Sequence, residues 1–335
     1  MIISSIMNIH ALIMKYLSNF NHNDTTLRVG TDCSGQEGVL VALRLLKVNV
    51  IHQFSCDNDP HIKQHILSQF SPAVYYDDIR GRDLSQMPDI DLYVCGFPCQ
   101  SFSLANKKRE GFHCEHGLLF FEALKVIQAK QPKYFVLENV KGLMSHDKGN
   151  TYKTIHNCLR ELTAYNVTYT VLNTKHFGIP HNRERLYIIG TQGTPFTLPT
   201  YEGTCPDIAE FLDGDLPATP HKCLIPRRQR VLDYAVQRHS INMAEPWVIN
   251  LGASANGFAQ TQHNMSPCIT TVCVCYYITC YSRFLTVREC YRLQGFPDDY
   301  TITCKKVQAS KQIGNSMSVN VLYYVLHGML SHGVP

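Results

Sequence analysis

From residue 27 onward, apolar and polar positions follow two rhythms in turn. Short, mainly apolar runs at 27–32, 91–96, 133–137 and 185–190 and a strand-like stretch at 50–55 read as strands, with 91–96 and 133–137 buried. Stretches with apolar residues three and four apart, at 39–46, 60–70 and 117–129, read as helices between them. This alternation predicts an α/β fold with a largely parallel sheet and right-handed crossovers. The texture changes after Gly193: residues 194–282 are rich in Pro, Thr, Gly and Cys, and no helical period persists beyond 231–238. A small, irregular, mainly β insertion is expected there. Regular patterning returns with a short helix at 286–293, a turn at Gly295-Phe-Pro-Asp-Asp299, and a helix at 316–330 opened by Asn315-Ser316. Ahead of the first strand, Ile6, Ile9, Ile13, Leu17 and Phe20 recur at helical spacing. They predict an amphipathic helix packed on the main domain. The expected division is 1–26, a helical extension; 27–193, the first part of a main domain; 194–282, the insertion; and 283–335, the rest of the main domain.

Composition narrows the class. At 335 residues the chain can bury a large core, and a net charge of +4 permits a nucleic-acid partner without demanding one. Fourteen cysteines are only about 4% of the chain, well below a disulfide scaffold. The opening residues lack the basic start of a secretory signal, so free thiols in a reducing compartment, cytoplasm or nucleus, are expected. With no run of about 18 apolar residues, no membrane span is expected. No Cys-x-x-Cys occurs, and the cluster Cys268, Cys273, Cys275, Cys280 has unsuitable spacing, so no metal is expected.

The strand ends carry the chemistry. The first strand runs into Asp32-Cys-Ser-Gly-Gln-Glu-Gly38, where Gly35 and Gly38 suit a close backbone approach. The second ends at Asp57, where a ribose-binding acid would sit, and the third at Asp77-Asp78-Ile79. Three successive ends suited to a nucleoside are better evidence than one. The fourth strand stops at Gly96-Phe97-Pro98, since proline cannot continue a central strand, and so offers Cys99 at its tip. Most cysteines here, Cys33, Cys158 and Cys223 among them, read as small apolar residues; Cys99 differs by position. The fifth strand delivers Glu138-Asn139-Val140, and Asn182-Arg-Glu-Arg185 precedes the next apolar run. A thiol, a carboxyl and arginines near a nucleoside site form a chemical constellation.

In order, GFPCQSFS, ENV, NRERLYIIG, TVREC with LQGFPDDY, and KQIGNSMSV resemble the motif series of the DNA (cytosine-5)-methyltransferases, over about 27–193 and 283–330. The resemblance implies a Rossmann-like, S-adenosylmethionine-dependent methyltransferase fold with a seven-stranded, mostly parallel sheet, and puts a target-recognition domain at 194–282. It implies Cys99 as the nucleophile at cytosine C6, Glu138 on ring N3 and the exocyclic amine, Arg185 on O2 and Arg183 as its supporting neighbour. For the cofactor it implies Gly35 and Gly38 under the methionine end, Asp57 on the ribose, Asp78 and Ile79 at the adenine, and Leu119 and Pro98 lining the pocket. Asn315 and Ser316, with Gly314, would meet the methionine part. Cys33 and Asn58 stand where the family usually carries aromatic rings against the adenine, and Cys33→Phe is expected to tighten cofactor binding. For double-stranded DNA, Ser103, Lys107, Lys108 and Arg109 lie on a loop placed to close over the strand. Arg227, Arg228 and Arg230 would meet phosphate or guanine, and Gln260 and Gln262 would fill the space left by a flipped base. S-adenosyl-L-homocysteine is the implied product, a monomer the expected state, and a cognate restriction endonuclease the expected functional companion. Two rivals stand: a tRNA methyltransferase, which typically carries a Cys-Phe-Thr motif absent here, and a lapsed DNA-binding protein, against which the intact Cys99, Glu138 and Arg185 argue.

Overall fold

The structure, a computed structural model, describes residues 26–98, 102, 111, 115–201, 203–214, 216–252, 260–271 and 275–331. The expected helix near the start of the chain lies outside them. By packing the chain divides into two units, one of residues 26–172, 184–200 and 321–331, the other of 173–183 and 201–320.

The first unit is built on a seven-stranded sheet. Its strands are β1 (Thr26–Asp32), β2 (Asn49–Cys56), β3 (Val74–Tyr76), β4 (Leu92–Cys95), β5 (Tyr134–Val140), β6 (Tyr165–Asn173) and β7 (Glu184–Gln192). Their order across the sheet is β3-β2-β1-β4-β5-β7-β6. Neighbours from β3 to β5 are parallel, and β7 runs antiparallel to β5. Helices α1 (Gly38–Leu45), α2 (Pro60–Gln69), α3 (Glu115–Lys130) and α4 (Asn150–Arg160) connect these strands. Asp59 caps α2 by accepting from the His61 N–H at 2.9 Å, with Pro60 supplying the first-turn φ. The sheet is sealed by Phe54, Tyr93, Phe97, Phe120 and Phe135, all fully buried. Gly30 in β1 is obligatory for this packing, since a Cβ there would lie 2.2 Å from the Phe54 ring. The expected seven-stranded, mostly parallel sheet is therefore present. The order reverses between β1 and β4, the place where open α/β sheets bind ligands at their carboxyl ends.

In the second unit a helix, α5 (Pro226–His239), packs Val231, Leu232 and Ala235 on Ile249, Leu251 and Tyr277. Ile249 and Tyr277 belong to a small antiparallel sheet of β8 (Trp247–Asn250), β9 (Thr261–His263), β10 (Tyr276–Ile278) and β11 (Arg283–Phe284), ordered β9-β8-β10-β11, and Leu251 follows β8. A capping box between Thr286 and Glu289 starts α6 (Val287–Leu293). Glu289 also receives both Arg283 Nη atoms, at 2.7 and 3.0 Å, in a buried pair. One expectation fails here. Asn315-Ser316 does not open a helix: Asn315 ends α7 (Lys306–Asn315), and α8 (Val319–Ser331), whose residues 321–331 belong to the first unit, starts four residues later. The buried face of α7 is Ala309, Ser310, Gln312, Ile313 and Gly314, too polar and small to give an apolar period. Gly314 is dictated by packing, since a Cβ would meet the Thr270 backbone at 2.3 Å. Cys223, expected as a small core residue, is exposed, because its 3₁₀ turn presents no buried side chain.

Candidate active site

The carboxyl ends of β1, β2 and β3 form one half of the site. Leaving β1, the chain takes left-handed φ at Cys33 (50°), Gly35 (53°) and Glu37 (51°) before α1 begins at Gly38. The turn is tied to the end of β2: Ser34 Oγ accepts from the Cys56 N–H at 3.0 Å, and the Gly35 N–H donates to Asp57 Oδ2 at 3.1 Å. The Asp59 N–H reaches Asp57 Oδ1 at 3.0 Å, and the Tyr75 hydroxyl donates to the Asp57 carbonyl at 2.8 Å. Asp57 is thus a half-buried carboxylate in a fixed orientation. Asn58 is exposed, while Ile79 and Leu119 are buried in the main core. Asp78 is held by Arg80, with Nη2 to Oδ2 at 2.8 Å, and that hydrogen bond keeps its carboxyl below the ordinary range. A carboxylate on the ribose side and an acid beside a buried apolar residue fit a nucleoside cofactor.

Beneath this surface lie polar groups that the motif comparison did not single out. Arg82 forms a bidentate pair with Asp32 at 2.7 Å on both oxygens, with side chains 5% and 0% exposed. Tyr93 Oη donates to the same Asp32 at 2.6 Å. The Arg82 guanidinium also stacks over Tyr76, 5.0 Å from the ring centre, and its Nε holds the Ile79 carbonyl at 3.1 Å. This pair fastens the loop after β3 to the end of β1. Glu37 is fully buried: Oε1 accepts from Ser55 Oγ at 2.6 Å and Thr31 Oγ1 at 2.7 Å. Among the described residues, Oε2 is buried and has no hydrogen-bond partner. Burial raises the Glu37 carboxyl to about 7, against the three hydroxyls that lower it. Cys33 is half-buried and its thiol is pushed up, first by a hydrogen bond with Cys95 and then by burial.

The other half of the site lies at the ends of β4 and β5. Cys99 lies outside the described residues, as do Ser103, Lys107, Lys108 and Arg109. The chain is described up to Pro98, and the fully buried Phe97 anchors that end on Phe120, 5.8 Å between centres. Asn139 Nδ2 donates to the Phe97 carbonyl at 3.0 Å, and Asn139 Oδ1 accepts from the Val140 N–H at 2.9 Å. The segment leading to Cys99 is thereby pinned to β5. One residue earlier, Glu138 Oε1 lies 3.1 Å from Arg185 Nε, both side chains largely buried. The antiparallel register, Glu138 opposite Tyr187 and Val140 opposite Arg185, brings together residues 47 apart in sequence. Arg185 Nη1 also donates to the Glu184 carbonyl at 2.8 Å, which fixes the guanidinium.

Other anticipated residues serve the second unit from within. Arg183, 2% exposed, donates to the carbonyls of Ile269 (3.0 Å), Gly314 (3.3 Å) and Ser316 (2.7 Å). Asn315 is exposed and Ser316 buried. Arg228 lies over Phe284 at 5.0 Å and donates to Cys275 Sγ at 3.3 Å, whereas Arg227 and Arg230 are exposed. Gln260 is exposed and Gln262 half-buried, opposite Val248 in the small sheet. Among the described residues no group of three or more His, Cys, Asp or Glu could hold a metal ion, and no helix is long and apolar enough to cross a membrane.

A doubly wound sheet with a fixed carboxylate, Asp57, at one strand end and a largely buried Glu138–Arg185 pair at another fits an enzyme that binds a nucleoside cofactor. Comparison with known proteins sharpens this. Residues 33–331 match the family described as C-5 cytosine-specific DNA methylase. The chain is 35% identical over 294 residues to the Type II methyltransferase M.NgoBI of Neisseria gonorrhoeae, covering 84% of this chain and 87% of that protein. It is 32% identical over 273 residues to M.HhaI of Haemophilus parahaemolyticus, covering 75% and 79%. Among solved structures it is similar to the S. pombe Dnmt2 methyltransferase (TM-score 0.64, 18% identity, 92% of this chain and 99% of that one). It is also similar to the Entamoeba histolytica methyltransferase EhMeth (TM-score 0.67, 16% identity, 93% and 100%). The chain belongs to the C-5 cytosine-specific DNA methylases, and its activity is that of a DNA (cytosine-5-)-methyltransferase.

Proposed function

We propose that the chain methylates a flipped-out cytosine in a specific sequence of double-stranded DNA through a covalent adduct of Cys99 with ring carbon 6. The observation that carries this reading is the Glu138–Arg185 pair, 3.1 Å apart, beside the segment that Asn139 fastens ahead of Cys99. Carbon 5 of cytosine is a poor nucleophile while the ring is aromatic. A thiolate that adds at carbon 6 makes carbon 5 enamine-like, splitting one difficult step into easier ones. A free thiol ionises near pH 8.5, so Cys99 relies on its surroundings. Glu138 meets N3 and the exocyclic amine, and a proton held at N3 offsets the charge that builds as sulfur adds. Arg185 orients the Glu138 carboxyl and presents its guanidinium to O2. The site would hold S-adenosylmethionine, which when bound would supply an electrophilic methyl group for carbon 5. Transfer of the carbon-5 proton to a base, water in this reading, then breaks the carbon 6–sulfur bond, releases Cys99 as thiolate and restores the ring. Asp57 would take the ribose hydroxyls, Ile79 and Leu119 would flank the adenine, and Gly35 and Gly38 would form the turn beneath the methionine end. Extrusion of the target base costs a few kcal/mol.

Residues 194–282 carry the choice of sequence in this reading. A restriction endonuclease is the functional companion, since the relatives are named as Type II methyltransferases. Bisulfite sequencing of DNA from cells expressing the chain tests the whole. The expected result is 5-methylcytosine at one recurrent sequence, lost in Cys99→Ser, with a covalent adduct on DNA containing 5-fluorocytosine. Undiminished methylation by the serine variant removes Cys99 from its role. Calorimetric titration of S-adenosylmethionine into Asp57→Ala reads the cofactor assignment independently of activity.

A further inference from the structure

Three of the four arginines of α5 fall on one exposed flank. Val231, Leu232 and Ala235 face the core. Arg227, Arg230, Tyr234 and Arg238 follow at steps of three, four and four, the spacing that keeps residues on one flank of a helix. All four are exposed. The acid of this helix, Asp233, is engaged by His221, whose Nε2 contacts its Oδ1 at 2.6 Å, and Gln229 Nε2 supports His221 Nδ1 at 3.1 Å. Within the arginine flank, Arg238 Nη1 donates to Tyr234 Oη at 2.8 Å, and its guanidinium lies 5.9 Å from that ring's centre. Arg228 sits apart: it is half-buried against Phe284 and Cys275.

We propose that this flank of α5 lies along the DNA backbone, with Arg227, Arg230 and Arg238 each neutralising a phosphate. Tyr234 orients Arg238, and Arg228 anchors the helix to the small sheet without touching DNA. The reading rests on the duplex DNA substrate proposed above. Eleven residues of helix span about 16 Å, and duplex DNA offers one negative charge per about 1.7 Å of its axis. Three positive groups over that length match several phosphates of one strand. The spacing assigns these arginines to the backbone, and phosphate contacts position a protein without reading sequence; a guanidinium that read guanine instead would discriminate between sequences. The stripe therefore supplies affinity and register, leaving base discrimination to other parts of the chain.

The test uses the full chain and two 40-base-pair duplexes, one containing the methylated sequence found by bisulfite analysis and one without it. Affinity is measured by fluorescence anisotropy across a series of KCl concentrations. Each of Arg227→Gln, Arg230→Gln and Arg238→Gln is expected to weaken binding to both duplexes by the same factor. Each should reduce the slope of log affinity against log salt by about 0.9, and the triple variant by about 2.7. Tyr234→Phe should show a part of the Arg238 effect. Arg228→Gln should lower the melting temperature, whereas the three flank variants melt like the parent. An unchanged salt slope in the folded triple variant overturns the proposal. A loss confined to the target duplex overturns it too, since it would mean base readout. Wild-type protein that leaves every cytosine of duplex DNA unmethylated would instead sink the functional reading on which the proposal rests.

Discussion

Replacing Glu37 by Gln should abolish a pH dependence of stability that the fold builds in under the cofactor turn. The carboxyl is enclosed at the junction of β1, β2 and α1, where burial raises it from 4.5 to about 7. The groups facing it are Thr31 and Ser34 from the β1 side, Ser55 and His52 from β2, and Asp57 beyond the end of β2. His52, 3.8 Å away, is itself held below its ordinary value by burial, so it offers little compensating charge near neutrality. An acid whose folded value is raised contributes its full stability below the unfolded value, and loses it as pH rises through the folded value. The window is therefore about pH 4.5 to 7. With about 1.4 kcal/mol for each tenfold change in proton affinity, the loss across it is about 3 kcal/mol. Glutamine resembles the protonated acid: its oxygen can still accept from Ser55 and Thr31. The two proteins should then differ little in urea titrations at pH 4.5. By pH 8 the Gln variant should be the more stable by up to about 3 kcal/mol. A difference that stays constant within about 0.5 kcal/mol from pH 4.5 to 8 refutes the reasoning, because Glu37 would then ionise alike in both states.

Three other outcomes follow from the same geometry. Asn139→Ala removes the donor that holds the Phe97 carbonyl, and an unsatisfied buried acceptor costs about 1–3 kcal/mol; single-turnover methyl transfer should fall by about tenfold or more while S-adenosylmethionine titrates normally. Arg82→Met strands the Asp32 carboxylate, 0% exposed, and should cost about 3–5 kcal/mol in urea titration, with weaker cofactor binding as the Asp78-Ile79 loop loosens. A folded, active chimaera carrying residues 194–282 of a relative with another target should methylate that relative's sequence; methylation of the original sequence would reject the assignment of specificity to this segment.

The sequence alone determined the strands at the centre of the sheet. Parallel strands buried on both faces are mostly apolar, so the apolar cores of 91–96 and 133–137 stand out. It also marked the candidate chemistry at their ends, because Gly96-Phe-Pro and Glu138-Asn-Val are short, contiguous signals. β6, Tyr165–Asn173, escaped the periodicity because most of its residues are only half-buried and polar ones interrupt it. α7 escaped because it buries small and polar groups. What only the tertiary structure decided are the pairings between distant residues. Asp32 and Arg82 are 50 positions apart, and nothing in either neighbourhood marks the other; the sheet brings them within 2.7 Å. Glu138 and Arg185 meet because β5 and β7 are antiparallel and in that register. Arg227, Arg228 and Arg230 look alike in the sequence, and only the rotation of α5 on the small sheet turns Arg228 onto Phe284 and leaves the other two in solvent. Glu37, one letter in a glycine-rich turn, becomes a buried acid only when β1, β2 and α1 close around it. Burial and long-range register are properties of the folded chain, and they set the charge state and orientation of each of these groups.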